Sequence, residues 1–479
     1  MSLRSLFFIL LFLPIQVMAT QADTLHSLLP KGTQLSYVVV DPLKNNVLTQ
    51  FQATSLRTPA SVQKLLTATA AKIYLGEHFR YNTRVKGNKK RLKNGRYKGS
   101  LRFDFVGDPT LLRADIRSMI SEIKHLGIRS VSGNIILNSA QFSGYQWSNG
   151  QAWNDLGVCY TSPSNAIIIN RNCVLGNLTV STRNKTKTRL FIPDYEPVEI
   201  SNEVSVVTKQ QRDRQFCALE LTRESGNKYH LWGCMVSRKH PLGLAFSVND
   251  PFRYAQQIIA QEFKNAGISV FGKVLHEKKN AIAQGNFVDT LALHQSPKLD
   301  QLLQIMMKQS DNLIADSLFK TLGAHYFKRP GNFRNGRKAV LDILKGQGID
   351  LENAYLADGS GLSRHNLLSA SLLMSVLNYV YHHDKTLKLL STLPVAGVDG
   401  TLKHHKGIGG KSFKGKIMAK TGSMKGVTNL LGVIKSDQGD RLFVLMLNGY
   451  HAFEPKLERS KRAPKYIFQR AFFKRIMKQ

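Results

Sequence analysis

Apolar and polar positions in the first part of the chain predict a β-hairpin followed by a helix. Residues 33–51 form two short apolar runs on either side of a polar turn, which is typical of paired strands. Apolar residues with helical spacing then fill residues 60–75. Thr58 suits the N-cap of this helix and Pro59 suits its first position. The pattern therefore places Ser61 in the first helical turn.

Helical spacing recurs further along the chain, and shorter apolar runs predict additional strands. The predicted helices cover residues 114–126, 251–265, 299–308, 312–322, 367–380 and 385–392, and the predicted strands include 416–421, 429–435 and 441–448. The helices at 114–126 and 251–265 are each followed by a glycine and an apolar strand. This weak repeat predicts a small α/β or β-rich unit. Residues 461–479 are basic and apolar, so they form either a packed terminal helix or a membrane-surface segment.

Residues 1–19 have the features of a secretory signal peptide. Arg4 supplies a positive charge, residues 6–13 are all apolar, and Val17-Met18-Ala19 fits a cleavage site. A transmembrane anchor is the alternative, but the run is far shorter than the ~20 residues that span a bilayer. We therefore expect an exported, periplasmic protein that is soluble or peripherally membrane-associated.

The length of the chain limits the number of domains, and its charge limits the kinds of partner. A chain of 479 residues is too long for one ordinary core, so two or three domains are expected. Lys and Arg number 67 against 32 Asp and Glu, a formal net charge of +35. Such an excess indicates an anionic partner or a generally basic, solvated surface. The export signal favours anionic membrane or wall polymers over nucleic acid, which we do not expect as a partner.

The four cysteines form an even set in a chain that is expected to be exported: Cys159, Cys173, Cys217 and Cys234. This favours two disulfides over a metal site, because no C-x-x-C spacing is present. Three pairings are open, and pairing of sequence neighbours would close two short loops.

Three strings, far apart in the chain, carry the candidate chemistry. They are Ser61-Val62-Gln63-Lys64 (S-x-x-K), Ser310-Asp311-Asn312 (S-D-N) and Lys420-Thr421-Gly422 (K-T-G). Each is common by chance alone. The ordered set, with the first string at a helix start and the third on a strand, is typical of penicillin-binding proteins and serine β-lactamases.

The strings predict an activated serine nucleophile. Serine needs an adjacent base, and Lys64 lies one helical turn from Ser61. A lysine acts as a base only when neutral, which burial and nearby positive charge favour. Ser310 and Lys420 would pass a proton to the leaving amine, and Asn312 would hold the substrate amide. This chemistry needs no metal and no cofactor, and we expect none.

The K-T-G string predicts the substrate-binding strand. Lys420 and Thr421 would bind the terminal carboxylate of the substrate, and Gly422 leaves room for the substrate beside the strand. The backbone N–H groups of Ser61 and Ser423 would form the oxyanion hole.

Seven strings, spread over essentially the whole mature chain, match one family in order. They are Pro59-Ala60-Ser61-Val62-Gln63-Lys64, Gly107-Asp108-Pro109-Thr110-Leu111, Trp153-Asn154-Asp155, Ser310-Asp311-Asn312-Leu313, Asp358-Gly359-Ser360-Gly361-Leu362-Ser363-Arg364, Pro394-Val395-Ala396-Gly397-Val398-Asp399-Gly400-Thr401-Leu402 and Lys420-Thr421-Gly422. The chain thus resembles the class C low-molecular-mass penicillin-binding proteins, the D-alanyl-D-alanine carboxypeptidase/endopeptidases of the penicillin-binding protein 4 type. One departure is Val106, where the family often has a glycine.

The resemblance implies an α/β (α+β) fold of the penicillin-recognising serine transpeptidase/β-lactamase type, split by a long two-part β-rich insert. The gap of about 245 residues between Lys64 and Ser310 already requires an inserted domain. We expect the catalytic domain to comprise residues 20–83 and 286–479. The insert would comprise residues 84–285, in two small subdomains.

The resemblance also implies a function: a periplasmic serine hydrolase of peptidoglycan stem peptides that removes a terminal D-alanine or cuts D-alanyl cross-links. β-Lactam antibiotics should acylate Ser61. By analogy, Asp155 and Arg364 recognise a diaminopimelate side chain, although Asp155 also suits a cap or turn. The family pattern agrees with the pairs Cys159–Cys173 and Cys217–Cys234.

Two other functions stay open from the sequence. A β-lactamase on the same fold would need an efficient deacylating base, and no Glu-x-x-x-Asn string follows Ser310. A basic, non-catalytic envelope-binding protein would not need the intact set Ser61, Lys64, Ser310 and Lys420. The balance of carboxypeptidase to endopeptidase activity does not follow from the sequence.

Overall fold

The computed structural model describes residues 25–280, 284–452, 455–458 and 460–479. The signal peptide predicted at residues 1–19 lies outside these ranges. Within them, no helix is both long enough and apolar enough to cross a bilayer.

The described residues form many short strands and a set of longer helices. The strands are β1 (Gln34–Asp41), β2 (Asn46–Phe51), β3 (Asn82–Gly87), β4 (Leu92–Lys93), β5 (Arg96–Tyr97), β6 (Leu101–Asp104), β7 (Ser130–Val131), β8 (Ile135–Asn138), β9 (Cys173–Val180), β10 (Thr188–Phe191), β11 (Glu199–Asn202), β12 (Ser205–Val207), β13 (Leu219–Arg223), β14 (Lys228–Val236), β15 (Leu242–Ser247), β16 (Ser269–Val270), β17 (Val274–Glu277), β18 (Asp289–Gln295), β19 (Ile417–Met424), β20 (Val427–Ser436) and β21 (Gly439–Asn448). The helices are α1 (Lys64–Leu75), α2 (Arg113–His125), α3 (Lys209–Arg214), α4 (Pro251–Asn265), α5 (Leu299–Lys308), α6 (Asn312–Phe327), α7 (Phe333–Lys345), α8 (Ala370–His382), α9 (Asp384–Leu387), α10 (Pro455–Glu458) and α11 (Pro464–Ile476).

Both ends of the chain contribute to one antiparallel sheet, in the order β19-β20-β21-β1-β2. The predicted hairpin at residues 33–51 is confirmed as β1 and β2, and Tyr37 of β1 pairs with Leu445 of β21. The strand that carries K-T-G, β19, lies at the edge of this sheet. An edge strand leaves backbone hydrogen-bonding groups free for another extended segment.

Helices cover both faces of this sheet. On one face α1, α5, α6, α7 and α8 bury apolar side chains such as Leu66, Met306 and Leu318 against β1 and β21. On the other face α11 buries Phe468, Phe472 and Phe473. The ring of Phe472 meets Tyr37 of β1 with centroids 5.2 Å apart. The packed terminal helix is therefore confirmed, since its aromatic residues form part of the core.

The helix that carries Ser61 begins differently from the prediction. Ala60–Gln63 is a 3-10 turn and the α-helix starts only at Lys64. The predicted N-cap role of Thr58 is wrong, because Pro59 occupies the N-cap position of this turn and no side chain caps it. The N–H of Thr58 donates to Asn448 Oδ1 at 3.0 Å. Asn429 Nδ2 donates to the carbonyls of Thr58 and Pro59, at 3.0 and 2.8 Å. The segment before Ser61 is thus fixed by the sheet rather than by a helix cap.

The first part of the region between the motifs is an α/β unit. Its sheet has the order β17-β8-β6-β3-β18 and packs with α2 and α4 around a second core. The weak repeat is visible here, because β16 pairs in parallel with β7 and β17 pairs in parallel with β8. Residue 84 lies within β3, which pairs with β18. The predicted domain boundaries stay a prediction.

The second part is built from small sheets. Strands β9, β10 and β15 form one sheet, and β11 to β14 form another, with a small core between them. The structure joins Cys159 to Cys173 and Cys217 to Cys234, which is the pairing that the resemblance implies. The second disulfide involves β14, whereas the first joins the start of β9 to a short 3-10 helix, Cys159–Thr161.

Candidate active site

The fold brings the three strings together. Lys64 Nζ, at the start of α1, lies 2.9 Å from Ser61 Oγ and 2.7 Å from Asn312 Oδ1. Lys420 Nζ, on β19, lies 2.8 Å from Ser310 Oγ. One lysine therefore contacts the candidate nucleophile, and the other contacts the serine of S-D-N. Residues separated by more than 350 positions in the chain thus meet in one cluster.

Both lysine side chains are fully buried. Burial lowers the pKa of Lys64 to about 8, although nearby carboxylates, Asp316 first among them, raise it. Burial also lowers the pKa of Lys420 well below its usual value, and the charge on Lys64 adds to this effect. With a pKa of about 8, Lys64 is partly neutral near physiological pH. It therefore has the electrostatics of a general base.

Two glycines permit the close packing around Ser61. A Cβ on Gly361 would lie 2.0 Å from the carbonyl oxygen of Ala60, and one on Gly422 would lie 2.7 Å from that of Pro59. Gly422 belongs to β19, so the edge strand passes directly beside the turn of Ser61. A larger residue at either position would push the nucleophile or the strand out of place.

The D-G-S-G-L-S-R string holds the ammonium group of Lys64 in place. The carbonyl of Ser360 accepts a hydrogen bond from Lys64 Nζ at 2.6 Å. Asp316 Oδ1, on α6, accepts the N–H groups of Gly359 and Ser360, at 3.0 and 2.9 Å. Burial, together with the charge of Asp358, raises the pKa of Asp316 to about 8. Sequence reasoning used this string only for the family resemblance and missed Asp316, which has no local pattern to mark it.

The P-V-A-G-V-D-G-T-L string lies beside K-T-G. Thr401 Oγ1 is 2.9 Å from Thr421 Oγ1, so two hydroxyl groups face each other near Lys420. Asp399 fixes the loop, because it accepts a hydrogen bond from Lys308 Nζ at 2.7 Å. Ser423 is exposed on the same edge strand, two residues after Thr421. Thr401 was not predicted as a site residue; its position in a family-specific string is the signal that could have found it.

The predicted substrate-recognition residues lie on two different loops. Asp155 ends a short 3-10 helix, and burial together with the nearby Asp155 carboxylate raises the pKa of the Tyr160 hydroxyl. The carbonyl of Asp155 accepts a bond from Thr161 Oγ1 at 2.8 Å, so the residue also stabilises a turn. Arg364 is exposed and donates to the carbonyl of Lys425, in the turn after β19.

The inserted region contacts S-D-N directly. Asn312 Nδ2 donates to the carbonyl of Tyr160 at 2.9 Å. Arg171 forms a hydrogen-bonded ion pair with Asp311. Neither Tyr160 nor Arg171 was predicted, because neither belongs to a recognisable string. In the part of the chain that the structure describes, no group of three or more His, Cys, Asp or Glu side chains could hold a metal ion.

A serine on a helix start beside the edge of an antiparallel sheet, flanked by two buried lysines, defines the penicillin-recognising serine hydrolases. The predicted fold class is confirmed. The profile of the D-Ala-D-Ala carboxypeptidase 3 (S13) family matches residues 19–466. The chain belongs to this family.

Individual relatives agree with this assignment. D-alanyl-D-alanine carboxypeptidase DacB of Haemophilus influenzae is 36% identical over 451 residues, which cover 94% of this chain and 92% of the relative. A D-alanyl-D-alanine carboxypeptidase of Actinomadura is 27% identical, over 89% of this chain and 79% of the relative. The crystal structure of penicillin-binding protein 4 (dacB) from H. influenzae superposes with a TM-score of 0.89 at 35% identity, over 96% of this chain and all of that one. A complex of that protein with a β-lactam gives 0.83 at 33% identity, over 95% of this chain and 99% of that one.

Proposed function

We propose that this chain is a serine D,D-peptidase of peptidoglycan that removes a terminal D-alanine, cuts D-alanyl cross-links, or does both. The observation that carries this proposal is the contact of buried Lys64 with Ser61, in a chain of the S13 family. β-Lactams would inhibit the enzyme by acylating the same serine.

The first half of the reaction is acylation. Ser61 Oγ attacks the carbonyl carbon of the penultimate D-alanine while Lys64 Nζ takes the hydroxyl proton. The tetrahedral intermediate then collapses, and the peptide C–N bond breaks. Lys420 and Ser310 form a hydrogen-bonded pair at 2.8 Å that can deliver a proton to the departing amine. The products are free D-alanine, or the amine half of a cross-link, and an ester on Ser61.

The second half is hydrolysis of that ester. Lys64 first passes the proton that it took to the Lys420–Ser310 pair, which lost one to the departing amine. A water molecule then attacks the ester carbonyl, and neutral Lys64 takes the proton of that water. The C–O bond to Ser61 Oγ breaks, and Oγ recovers a proton from Lys64. The lowered pKa of Lys64 suits both directions of this proton transfer.

Substrate binding uses the edge of the sheet. An extended stem peptide can lie beside β19, because Gly422 presents no side chain to it. Lys420, Thr421 and the neighbouring hydroxyl of Thr401 would bind the terminal carboxylate. Asn312 would hold the substrate amide, and the N–H groups of Ser61 and Ser423 would stabilise the oxyanion.

Asp155 and Arg364 would select the stem peptide. A carboxylate suits the ammonium group of a diaminopimelate side chain, and a guanidinium suits its carboxylate. Asp155 lies near the site through Tyr160, whose carbonyl contacts Asn312. Asp155 of the inserted region and Arg364 of the D-G-S-G-L-S-R loop would thus bind the two charged groups at the end of one side chain.

Export would bring this chemistry to its substrate. Two disulfides fit an oxidising compartment such as the periplasm. The charge of +35 supports peripheral contact with anionic membrane or wall polymers. Sedimentation with vesicles that contain anionic lipid, at low and at high salt, tests this: charge-driven binding should fall sharply as salt rises. Binding that is absent at low salt would contradict the proposed contact.

Covalent labelling by a fluorescent penicillin tests the catalytic proposal. The wild-type protein should form a stable adduct, and Ser61→Ala should form none. Absence of label on the folded wild-type protein would contradict the proposal, and label on Ser61→Ala would contradict the nucleophile. Rapid turnover of a chromogenic cephalosporin would instead indicate a β-lactamase.

A further inference from the structure

A turn in the inserted region has an unusual backbone. Asn170, Arg171 and Asn172 have φ values of 50°, 62° and 48°, so three consecutive non-glycine residues lie in the left-handed region. Asparagine tolerates this region, whereas arginine has no intrinsic preference for it. Such a conformation persists only when its surroundings determine it, and it is found most often at functional sites.

The surroundings of the turn do determine it. Asn170 Oδ1 accepts the N–H of Arg113 at 2.9 Å, at the start of α2. Asn172 is fully buried and donates to the carbonyls of Pro163 and Ile167, both at 3.2 Å. The two asparagines are therefore anchored in the inserted region, and the residue between them is directed outward.

The residue between them contacts the catalytic motif. The guanidinium of Arg171 pairs with Asp311 Oδ2, while Asp311 Oδ1 caps α6 by accepting the N–H of Ile314 at 2.9 Å. Asp311 is nearly buried, with 7% of its side chain exposed. The preceding residue, Ser310, itself has a left-handed φ of 61°. The Arg171–Asp311 ion pair therefore lies next to the strained backbone of Ser310 in the S-D-N string.

The disulfide Cys159–Cys173 links the segment that carries Arg171 to a second segment that contacts the S-D-N string. Cys173 follows the left-handed turn directly, and its partner Cys159 precedes Tyr160. The carbonyl of Tyr160 accepts a hydrogen bond from Asn312. The two segments that contact S-D-N from the inserted region are therefore covalently linked to each other.

We infer that Arg171 is a positioning residue, which holds Asp311 so that Ser310 and Asn312 meet the two lysines correctly. The left-handed turn and the disulfide Cys159–Cys173 present Arg171 to the motif. The inserted region is then required for catalysis as well as for substrate choice. This inference rests on the proposed function, because it gives Arg171 a part in the reaction of Ser61.

Acylation kinetics with a fluorescent penicillin test the inference on the full chain. Arg171→Ala should lower the first-order acylation constant about 10- to 100-fold, because displaced catalytic groups lose much of their effect. The dissociation constant of the initial complex should change little. Arg171→Lys should recover most of the rate, since one charged donor reaches one carboxylate oxygen.

Matched variants separate positioning from folding. Arg117 pairs with Glu262 in the same region, at 2.9 Å and away from the site. Arg117→Ala should stay within about twofold of the wild-type rate. Asp311→Asn keeps the helix cap but removes the charge. Combined with Arg171→Ala, it should be no slower than the slower single variant, because both remove the same interaction.

The outcomes are distinct from those of the functional proposal. If the wild-type protein fails to label, the proposed function is wrong. If the wild-type protein labels and Arg171→Ala acylates at the same rate, the inference is overturned while the function stands. Should Arg171→Ala fail to fold, Asp311→Asn decides: a wild-type rate in that variant also overturns the inference.

Discussion

Asp316 and Lys64 are linked through a single residue. Asp316 accepts the N–H of Ser360, and the carbonyl of Ser360 accepts Lys64 Nζ. The carboxylate therefore raises the pKa of the lysine through its charge and also fixes the peptide that holds it. The candidate base is thus tuned by two opposing effects, burial and a nearby negative charge.

This link predicts the pH dependence of acylation. Lys64 must be neutral to act as a base, so the rate should rise with pH and level off above its pKa of about 8. Asp316 titrates in the same pH range as Lys64, and its ionised form raises the pKa of the lysine. Asp316→Asn removes that group, so the rising limb should move to lower pH. The measurement is the acylation rate by penicillin between pH 5 and 10.

A second carboxylate beside α1 supplies the control. Asp300 pairs with Lys72 on the same helix, at 2.6 Å and outside the cluster. Asp300→Asn should leave the rising limb where it is in the wild-type enzyme. A limb that does not move in Asp316→Asn, or that moves to higher pH, would contradict the electrostatic account.

Glycine substitutions test the packing around Ser61. Gly361→Ala and Gly422→Ala place a Cβ 2.0 and 2.7 Å from backbone oxygens near the nucleophile. Gly348 has a φ of +77° but no atom within 4 Å of the added Cβ. Gly348→Ala should cost about 1 kcal/mol of unfolding free energy. The other two should cost about 1–3 kcal/mol more and slow acylation.

Denaturant unfolding and penicillin labelling measure these two effects separately. The Gly348 variant should label at the wild-type rate. Normal labelling by Gly361→Ala would contradict the close contact with Ala60.

Removal of each disulfide in turn should separate stability from catalysis. The two pairs have similar sequence separations, 14 and 17 residues, so each double Cys→Ala variant should lose about 3 kcal/mol. Only the loss of Cys159–Cys173 should slow acylation, because that bond flanks Tyr160 and Arg171. Equal acylation rates in the two double variants, measured below their unfolding transitions, would count against the positioning role.

Substrate selection predicts different patterns for Asp155 and Arg364. Asp155→Asn should lower kcat/KM about 10-fold for stem peptides with either diaminopimelate or lysine, since both carry an ammonium group. Arg364→Ala should lower it only for diaminopimelate, which alone carries the side-chain carboxylate. Both variants should react with penicillin at the wild-type rate. Unchanged peptide kinetics in both variants would remove these residues from the binding site.

Local patterns predicted much of the fold. The helices expected at 251–265 and 299–308 are α4 and α5 with the same bounds. Apolar spacing sufficed there because each helix has one buried face. In contrast, α7 was not predicted, since its first two turns are mostly polar and contain Gly336. That glycine is required by packing, because a Cβ there would lie 2.4 Å from the carbonyl of Phe319 on α6.

The residues of the candidate site likewise fall into those that local patterns predicted and those that they did not. Ser61, Lys64 and Lys420 were predicted because their strings carry the chemistry. Asp316 and Arg171 were not, because their roles come from tertiary contacts. Arg171 lies 140 residues from Asp311, and the left-handed turn that directs it depends on buried hydrogen bonds. Sequence periodicity contains no information about such a contact.

The most direct test of the account is digestion of a purified disaccharide-pentapeptide and of a cross-linked dimer, followed by mass spectrometry. The wild-type enzyme should release one alanine from the monomer, split the dimer, or do both, and Ser61→Ala should leave both substrates unchanged. Failure of the folded, penicillin-reactive wild-type enzyme to change either substrate would contradict the assignment as a D,D-peptidase.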